Sequence, residues 1–264
     1  MKMEVNHTFV VCAYKESAYL KECVQSLVQQ TVKSKILIAT STPNELIQSV
    51  ASEYSLPIYV NEGEKGIAGD WNFAMSLADT EYVTLAHQDD VYEPTYAEEV
   101  LRAAQKAKKP IIAFTEYFEI RKNERVFQNK LLRVKHLLNF PFRLFKKSKF
   151  VRRRILSLGC PICCPAVTYH IKNCNDLKFN TDFQNSCDWD AWERISKYKG
   201  SFVYLKRPLM GHRIHEESTT TEMIQNSRRA QEELIMFKRF WPSWIAKRIA
   251  KVFAKSTSSN DLDT

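Results

Sequence analysis

Within His87-Gln88-Asp89-Asp90 the chain places an imidazole and two adjacent carboxylates together. They follow the apolar run 82–86, which reads as a strand, so they stand at a strand's carboxyl end. Carboxylates and an imidazole so placed can hold a divalent cation, and a diphosphate can share it. The same acids ahead of Pro94 also suit a helix entry, where they cap free amides, and both readings stand at this point. Three of the six glycines, Gly63, Gly66 and Gly69, share one loop upstream. That clustering predicts close backbone approach to a ligand or a tight turn. No Gly-x-Gly-x-x-Gly follows the first strand and no Walker-type Gly-Lys-Ser/Thr occurs, which excludes dinucleotide and P-loop readings. Asp188 and Asp190 open a predicted helix; at i, i+2 they point to different faces, and an N-cap with a dipole partner accounts for them without chemistry. Trp189 and Trp192 line either a pocket or a core stripe.

Cys160, Cys163 and Cys164 with His170 and Cys174 invite a zinc reading, but Pro161 and Pro165 interrupt the run and the spacing fits no closed four-ligand pattern. Buried thiols beside a strand are the simpler expectation.

The elements that must position these groups read as strands over 8–13, 36–39, 58–60, 82–86 and 111–114, alternating with helices over 18–30, up to 54, 67–78 and 94–107. Thr42-Pro43-Asn44-Glu45 has the form of a capping box with proline at the first helical position. Single helices between strands imply right-handed crossovers, a mostly parallel sheet and ligands at the strands' carboxyl ends. After 116 the pattern becomes α+β. A very basic helical stretch covers 129–156, strands 167–170 and 202–205, helices 188–198 and 222–240, and a last helix runs from Pro242 to about 255. The polar tail 256–264 is expected to be disordered.

With 264 residues and ordinary apolar content, the chain can bury a large core, and its longest apolar run, Phe9 to Tyr14, is far too short to span a bilayer. Its N-terminal residues lack the pattern of a secretory signal, and seven cysteines without framework spacing suit a reducing compartment. The net charge of +9 is concentrated: thirteen Lys/Arg against one acid over 121–155, and six with no acid over 238–255. The rest is net acidic, so the cationic segments imply an anionic partner surface. The predicted helix over 241–255 gathers Trp241, Ile245, Ile249, Val252 and Phe253 on one side and Lys247, Arg248, Lys251 and Lys255 on another, a pattern that can lie in a bilayer interface.

Three segments in order carry a resemblance: Phe9-Val-Val-Cys-Ala-Tyr-Lys-Glu16, then Gly66-Ile-Ala-Gly-Asp-Trp-Asn72, then Glu81-Tyr-Val-Thr-Leu-Ala-His-Gln-Asp-Asp-Val-Tyr-Glu-Pro94. Together they resemble the N-terminal half of family 2 glycosyltransferases. Cys187-Asp-Trp-Asp-Ala-Trp-Glu-Arg194 resembles that family's Glu-Asp-x-Asp-Leu-x-x-Arg segment, and Arg213-Ile-His-Glu-Glu-Ser-Thr219 its Arg-x-His-x-x-Ser ending. The resemblance implies an α/β, Rossmann-like GT-A fold with a mostly parallel central sheet. Residues 1–116 would form the nucleotide-sugar-binding half, 117–221 the acceptor-side half with its basic insertion, and 222–255 the C-terminal helices.

The resemblance also implies a role for each matching residue. By it, Ala13, Tyr14 and Glu16 meet the nucleotide base and ribose, while Gly66, Asp70, Asn72, His87 and Gln88 belong to the donor site. Asp89 falls on the second acid of Asp-x-Asp and, with His215, ligates Mn²⁺ or Mg²⁺. Arg213 and His215 close over the diphosphate, and Asp188 is the catalytic base. His87 departs from the family by replacing the first acid. Thr40-Ser41-Thr42 stands where many members have Asp-Asp-Gly-Ser, so Asp70 is the candidate acidic contact to the ring beside Thr40. The implied activity is metal-dependent, inverting sugar transfer from a nucleotide-sugar in bacterial surface-polysaccharide assembly; the cysteine usage adds a cytoplasmic setting, and the cationic segments a place at the inner face of the cell membrane with a lipid-linked saccharide as acceptor. No nucleic-acid partner is expected, since the basic run interleaves its aromatics with leucines and carries no recognition motif. A metal phosphohydrolase using His87, Asp89, Asp90 and His215, or a basic binding module without catalysis, are the alternatives.

Overall fold

Alternation along β1 (Glu4–Ala13) builds both faces of the molecule: Phe9 and Val11 enter one apolar cluster and Val10 the other. The next strand, β2 (Lys33–Thr40), repeats the device, with Ile38 on the first face and Leu37 and Ala39 on the second. Helices α1 (Leu20–Val28), α2 (Glu45–Glu53) and α4 (Tyr96–Gln105) cover the first face; α3 (Ile67–Ser76) lies on the second. The structure, a computed structural model, describes residues 4–175, 177–215 and 227–260.

With β3 (Ile58–Val60) and β4 (Tyr82–His87), the first strands form the parallel run β3-β2-β1-β4. β8 (Val167–His170) then joins antiparallel between β4 and β6 (Pro110–Arg121), and β9 (Ser201–Ile214) lies parallel to β6. Two short strands that the sequence pattern does not show, β5 (Val91–Tyr92) and β7 (Glu124–Val126), pair antiparallel with β9 and β6. β6 and β9 also run well beyond the expected 111–114 and 202–205. In β9 the polar Lys206 and Arg207 break the apolar pattern because they are left out of the ladder: Thr115 pairs Leu205 and Glu116 pairs Pro208.

The basic stretch forms two helices, α5 (Lys130–Leu144) and α6 (Lys149–Leu156), capped by Asn129 accepting from the Leu132 amide and Ser148 from the Val151 amide. Then come α7 (Cys187–Ile195), α8 (Ser227–Lys238) and α9 (Ser243–Asn260). Helix α2 is capped by Asn44, which accepts from the Ile47 amide, so Pro43 precedes the helix rather than opening it. α9 continues to Asn260, into the tail expected to be disordered; 216–226 and 261–264 lie outside the described residues, and with them the end of the Arg213–Thr219 motif. Trp241, Ile249 and Phe253 of the last segment pack on the core, while Trp244 and Val252 are exposed. No helix of the described residues is long and apolar enough to cross a membrane.

Candidate active site

Because β1 to β4 run parallel, their carboxyl ends make one rim: Ala13 stands opposite Thr40, Thr40 opposite Val60, and Cys12 opposite His87. The Tyr14 amide donates to Gln88 Oε1 at 2.9 Å and Gln88 Nε2 returns a bond to the Tyr14 carbonyl at 2.8 Å. That exchange ties the end of β1 to the turn after β4. Beyond it Lys15 takes the left-handed region, φ 53°, held by its amide on Thr42 Oγ1, and Glu16 is exposed. Thr40 is buried, its hydroxyl accepting from the Thr42 amide. Asp70 accepts from Ser41 Oγ at 2.9 Å and Asn61 Nδ2 at 2.7 Å, joining the ends of β2 and β3.

The glycine loop has two separate causes. Gly66 takes φ 95° with open space where a Cβ would be, whereas at Gly69 a Cβ would collide with the Glu64 carbonyl. Asn72 turns toward the segment before α7, its carboxamide exchanging two bonds with the Phe179 backbone.

The 87–90 turn separates its carboxylates. Asp90 is fully buried; its Oδ1 accepts from the Arg213 amide and lies 3.0 Å from His212 Nδ1. Asp89 is partly exposed, with Oδ2 3.1 Å from His215 Nε2. Burial pushes the Asp89 carboxyl upward, but the His215 contact and the neighbouring His87 and His212 outweigh it and hold the group below the ordinary carboxylate value. Trp71 stacks on His87 at 5.1 Å. Burial pulls the His87 pKa down against the raising effect of Asp90 and Asp89, and its Nε2 is buried without a hydrogen-bond partner among the described residues.

Asp90→Ala is expected to cost about 3 kcal/mol of stability, because it strips a buried amide and imidazole of their acceptor. A urea midpoint matching the parent's would remove Asp90 from this structural role.

Arg213 is engaged within the chain. Its side chain is 4% exposed and its guanidinium is committed to the Asp89 carbonyl at 3.0 Å, Asn123 Oδ1 at 3.2 Å and Glu22 Oε2 at 2.5 Å, above the Tyr19 ring at 4.2 Å. A guanidinium so engaged is a clasp between α1 and the turn. His215, beside the Tyr19 ring at 5.1 Å, is the member of that motif that reaches Asp89.

Asp188 stands half-buried in the first turn of α7. Its Oδ1 accepts from the Trp189 amide at 2.6 Å, and the Cys160 thiol donates to Oδ2 at 3.9 Å. Desolvation raises its pKa to about 6, against the lowering effects of the Trp189 amide and the Lys135 ammonium. Lys135, hidden in the sequence inside the basic run, donates to Tyr117 Oη at 2.8 Å; the Tyr117 ring lies 6.1 Å from His212, which reaches Asp90. A continuous chain of contacts thus leads from the turn to the lysine whose charge acts on Asp188.

Asp190 does something else. It is buried between Arg194 Nε at 2.8 Å and Arg239 Nη1 at 2.6 Å. Trp189 and Trp192 are core residues, against Phe237 and Tyr169, which settles the pocket-or-core question for them.

Asp188 is not the N-cap of its helix. The amides of Gln184, Asn185 and Ser186 all donate to the buried Glu232 carboxylate of α8, at 2.8–3.0 Å. Nothing in the sequence around Asp188 signals this partner. Glu232→Ala is expected to lose roughly 2–4 kcal/mol, read by urea unfolding, with partial recovery in Glu232→Gln; an unchanged midpoint in the alanine variant would contradict the clamp.

For a divalent cation the rim offers Asp89 Oδ2 and His215 Nε2, while the described residues hold no group of three or more His, Cys, Asp or Glu arranged for a metal. A carboxylate and an imidazole fit a cation that completes its shell with substrate phosphates and water. The seven cysteines are free thiols, and those at 160, 163, 164 and 174 have pKa values raised by burial, as expected of structural thiols.

Known proteins share this fold. The chain is 20% identical over 252 residues to an uncharacterized glycosyltransferase of Haemophilus influenzae, covering 86% of this chain and 72% of that protein. Among solved structures, the mannosyltransferase PcManGT from Pyrobaculum calidifontis, in complex with GDP-Man and Mn²⁺, superposes with a TM-score of 0.65 at 12% identity, over 94% of this chain and 69% of that one. The S. aureus TarS 1-349 structure with UDP-GlcNAc gives 0.64 at 14% identity, over 95% and 70%. These likenesses establish the GT-A fold. The family described as Glycosyl transferase family 2 matches residues 8–169, more than half of the chain, and with the ordered strand-end motifs this makes the protein a member of the family 2 glycosyltransferases.

Proposed function

We propose that the protein moves a sugar from a nucleotide-sugar donor to a hydroxyl of a lipid-linked saccharide, with inversion, in surface-polysaccharide assembly. The observation that carries this reading is Asp188, a half-buried, desolvated carboxylate in the first turn of α7 with its pKa raised to about 6, which feels the charge of Lys135. A base of that strength is ionised at neutral pH and takes a proton more readily than an ordinary aspartate.

Asp188 accepts the acceptor hydroxyl's proton while that oxygen forms its bond to the donor's anomeric carbon. The bond from that carbon to the diphosphate oxygen breaks, and the nucleoside diphosphate leaves with the electron pair. A single displacement inverts the centre. Asp89 and His215 would hold a divalent cation, which supplies positive charge against the departing diphosphate. Ala13, Tyr14 and Glu16 serve base and ribose, Thr40 and Asp70 the ring, and Gly66, His87 and Gln88 the diphosphate and sugar. Asn72 works indirectly, by holding Phe179.

GDP-Man in PcManGT and UDP-GlcNAc in TarS support a nucleotide-sugar donor, and Mn²⁺ in PcManGT supports a cation. Free thiols support a reducing, cytoplasmic setting, with the protein peripheral at the inner face of the cell membrane. Family membership sets aside the phosphohydrolase and non-catalytic readings.

Calorimetry with UDP, GDP, dTDP and CMP, each with and without Mn²⁺ or Mg²⁺, tests the donor site. One nucleotide should bind tightly and more tightly with the cation; absence of binding by all four would overturn the reading.

A further inference from the structure

The cations of 121–155 do not form one surface. Arg152 is buried, its guanidinium donating to the Lys147, Tyr198 and Gly200 carbonyls above the Phe202 ring, and Arg153 pairs with Glu193. Helix α5 has two different faces. Inward it sends Leu132, Lys135, Asn139 and Phe142; outward it presents Val134, Leu137, Phe140 and Leu144, and Phe145 and Phe150 extend that face into the start of α6. Leu137 is 75% exposed, Phe150 72% and Leu144 65%. Single exposed apolar side chains are ordinary, but a face of six is the mark of an interaction surface.

Cations accompany it along the chain. Lys130, Arg143, Lys146, Lys147 and Lys149 are exposed and have no carboxylate within ion-pair distance among the described residues, and the sequence holds no Asp or Glu from Arg125 to Asn175. We propose that this face lies on an anionic lipid bilayer, with the leucines and phenylalanines in the acyl boundary and the cations among the headgroups. The inference rests on the reading of the acceptor as lipid-linked and names the surface that reading needs. Charge complementarity selects anionic lipid, which offers apolar depth and negative charge along one plane. Continuity with the site supports it: the inner side of the same helix carries Lys135, whose charge acts on Asp188, and Asn139, which donates to the Pro161 carbonyl next to Cys160. Helix α9 exposes Trp244 and Val252 but turns Ile249 and Phe253 onto the core, so its outward apolar face is smaller than that of α5.

The test is flotation of the full chain with phosphatidylcholine vesicles, with and without phosphatidylglycerol. The protein should float with the anionic vesicles at low salt. Leu137→Asp combined with Leu144→Asp, and separately Lys146→Glu with Lys147→Glu and Lys149→Glu, should each lower vesicle binding at least tenfold, with nucleoside diphosphate affinity unchanged. Undiminished flotation of both variants overturns the α5 surface and moves membrane contact to another face. Failure of the parent protein to float, with nucleotide binding intact, overturns the docking while sugar transfer stands. Dimerisation in sedimentation velocity that Leu137→Asp abolishes, without flotation, overturns it in favour of a second copy of the chain.

Discussion

Asp188→Asn is expected to lower kcat by about 10²- to 10⁴-fold, the usual contribution of a positioned general base, and to leave nucleoside diphosphate affinity as it was. The asparagine can still accept the Trp189 amide bond but cannot take a proton. Since desolvation raises the Asp188 pKa to about 6, the parent's kcat/KM should fall as pH drops through about 6, where the base becomes protonated. The same shift has a sign in stability. A carboxyl whose native pKa lies above its unfolded value of 3.8 binds more protons in the native state, so its stabilisation is present at low pH and is lost as pH rises through about 6. Asparagine removes that loss. At pH 8 the inactive variant should therefore be more stable than the parent, by about 1–3 kcal/mol. Near-parent turnover would remove Asp188 from catalysis, and a less stable variant at pH 8 would contradict its desolvation as a charged group.

Asp89→Ala should remove the cation-dependent part of nucleotide binding. Loss of an outer-shell partner of a metal typically costs about 10- to 100-fold in affinity, and loss of a ligand should cost at least that. Because Asp89 is partly exposed and its carboxylate is bonded to His215 at the rim rather than into the core, the fold should tolerate the change. Titration of a nucleoside diphosphate with and without Mn²⁺ reads the effect directly. Equal affinities for parent and variant in the presence of Mn²⁺ would take Asp89 out of the site.

The parallel half of the fold was legible because its signals are local. Strands 8–13, 36–39 and 82–86 are apolar runs, the helices between them are periodic, and their order alone puts 13–16, 40–42 and 87–90 on one rim. The far half was less so. The length of β9 is concealed by Lys206 and Arg207, which leave the ladder, and β5 is too short to have a period. In the site, spacing separated Asp188 from Asp190 onto different faces and puts Arg194 one turn from Asp190, but only tertiary contact brings Arg239 to the same carboxylate. The resemblance gives Arg213 a place over the diphosphate but does not show that Glu22 and Asn123, remote in sequence, bind its guanidinium. Lys135 looks like one more cation in a basic run until the fold turns it inward onto Tyr117. Each of these depends on partners that no window of sequence contains.

The most direct test of the central claim is the rate of nucleoside diphosphate release from a panel of UDP-, GDP- and dTDP-sugars, measured with and without a detergent-solubilised polyprenyl-diphosphate-linked saccharide. With the cognate donor, release should accelerate on adding the acceptor and yield a glycosylated lipid, and Asp188→Asn should abolish the acceleration while still binding the nucleotide. Release that ignores the acceptor, or an acceptor-driven rate that Asp188→Asn leaves unchanged, would contradict the account.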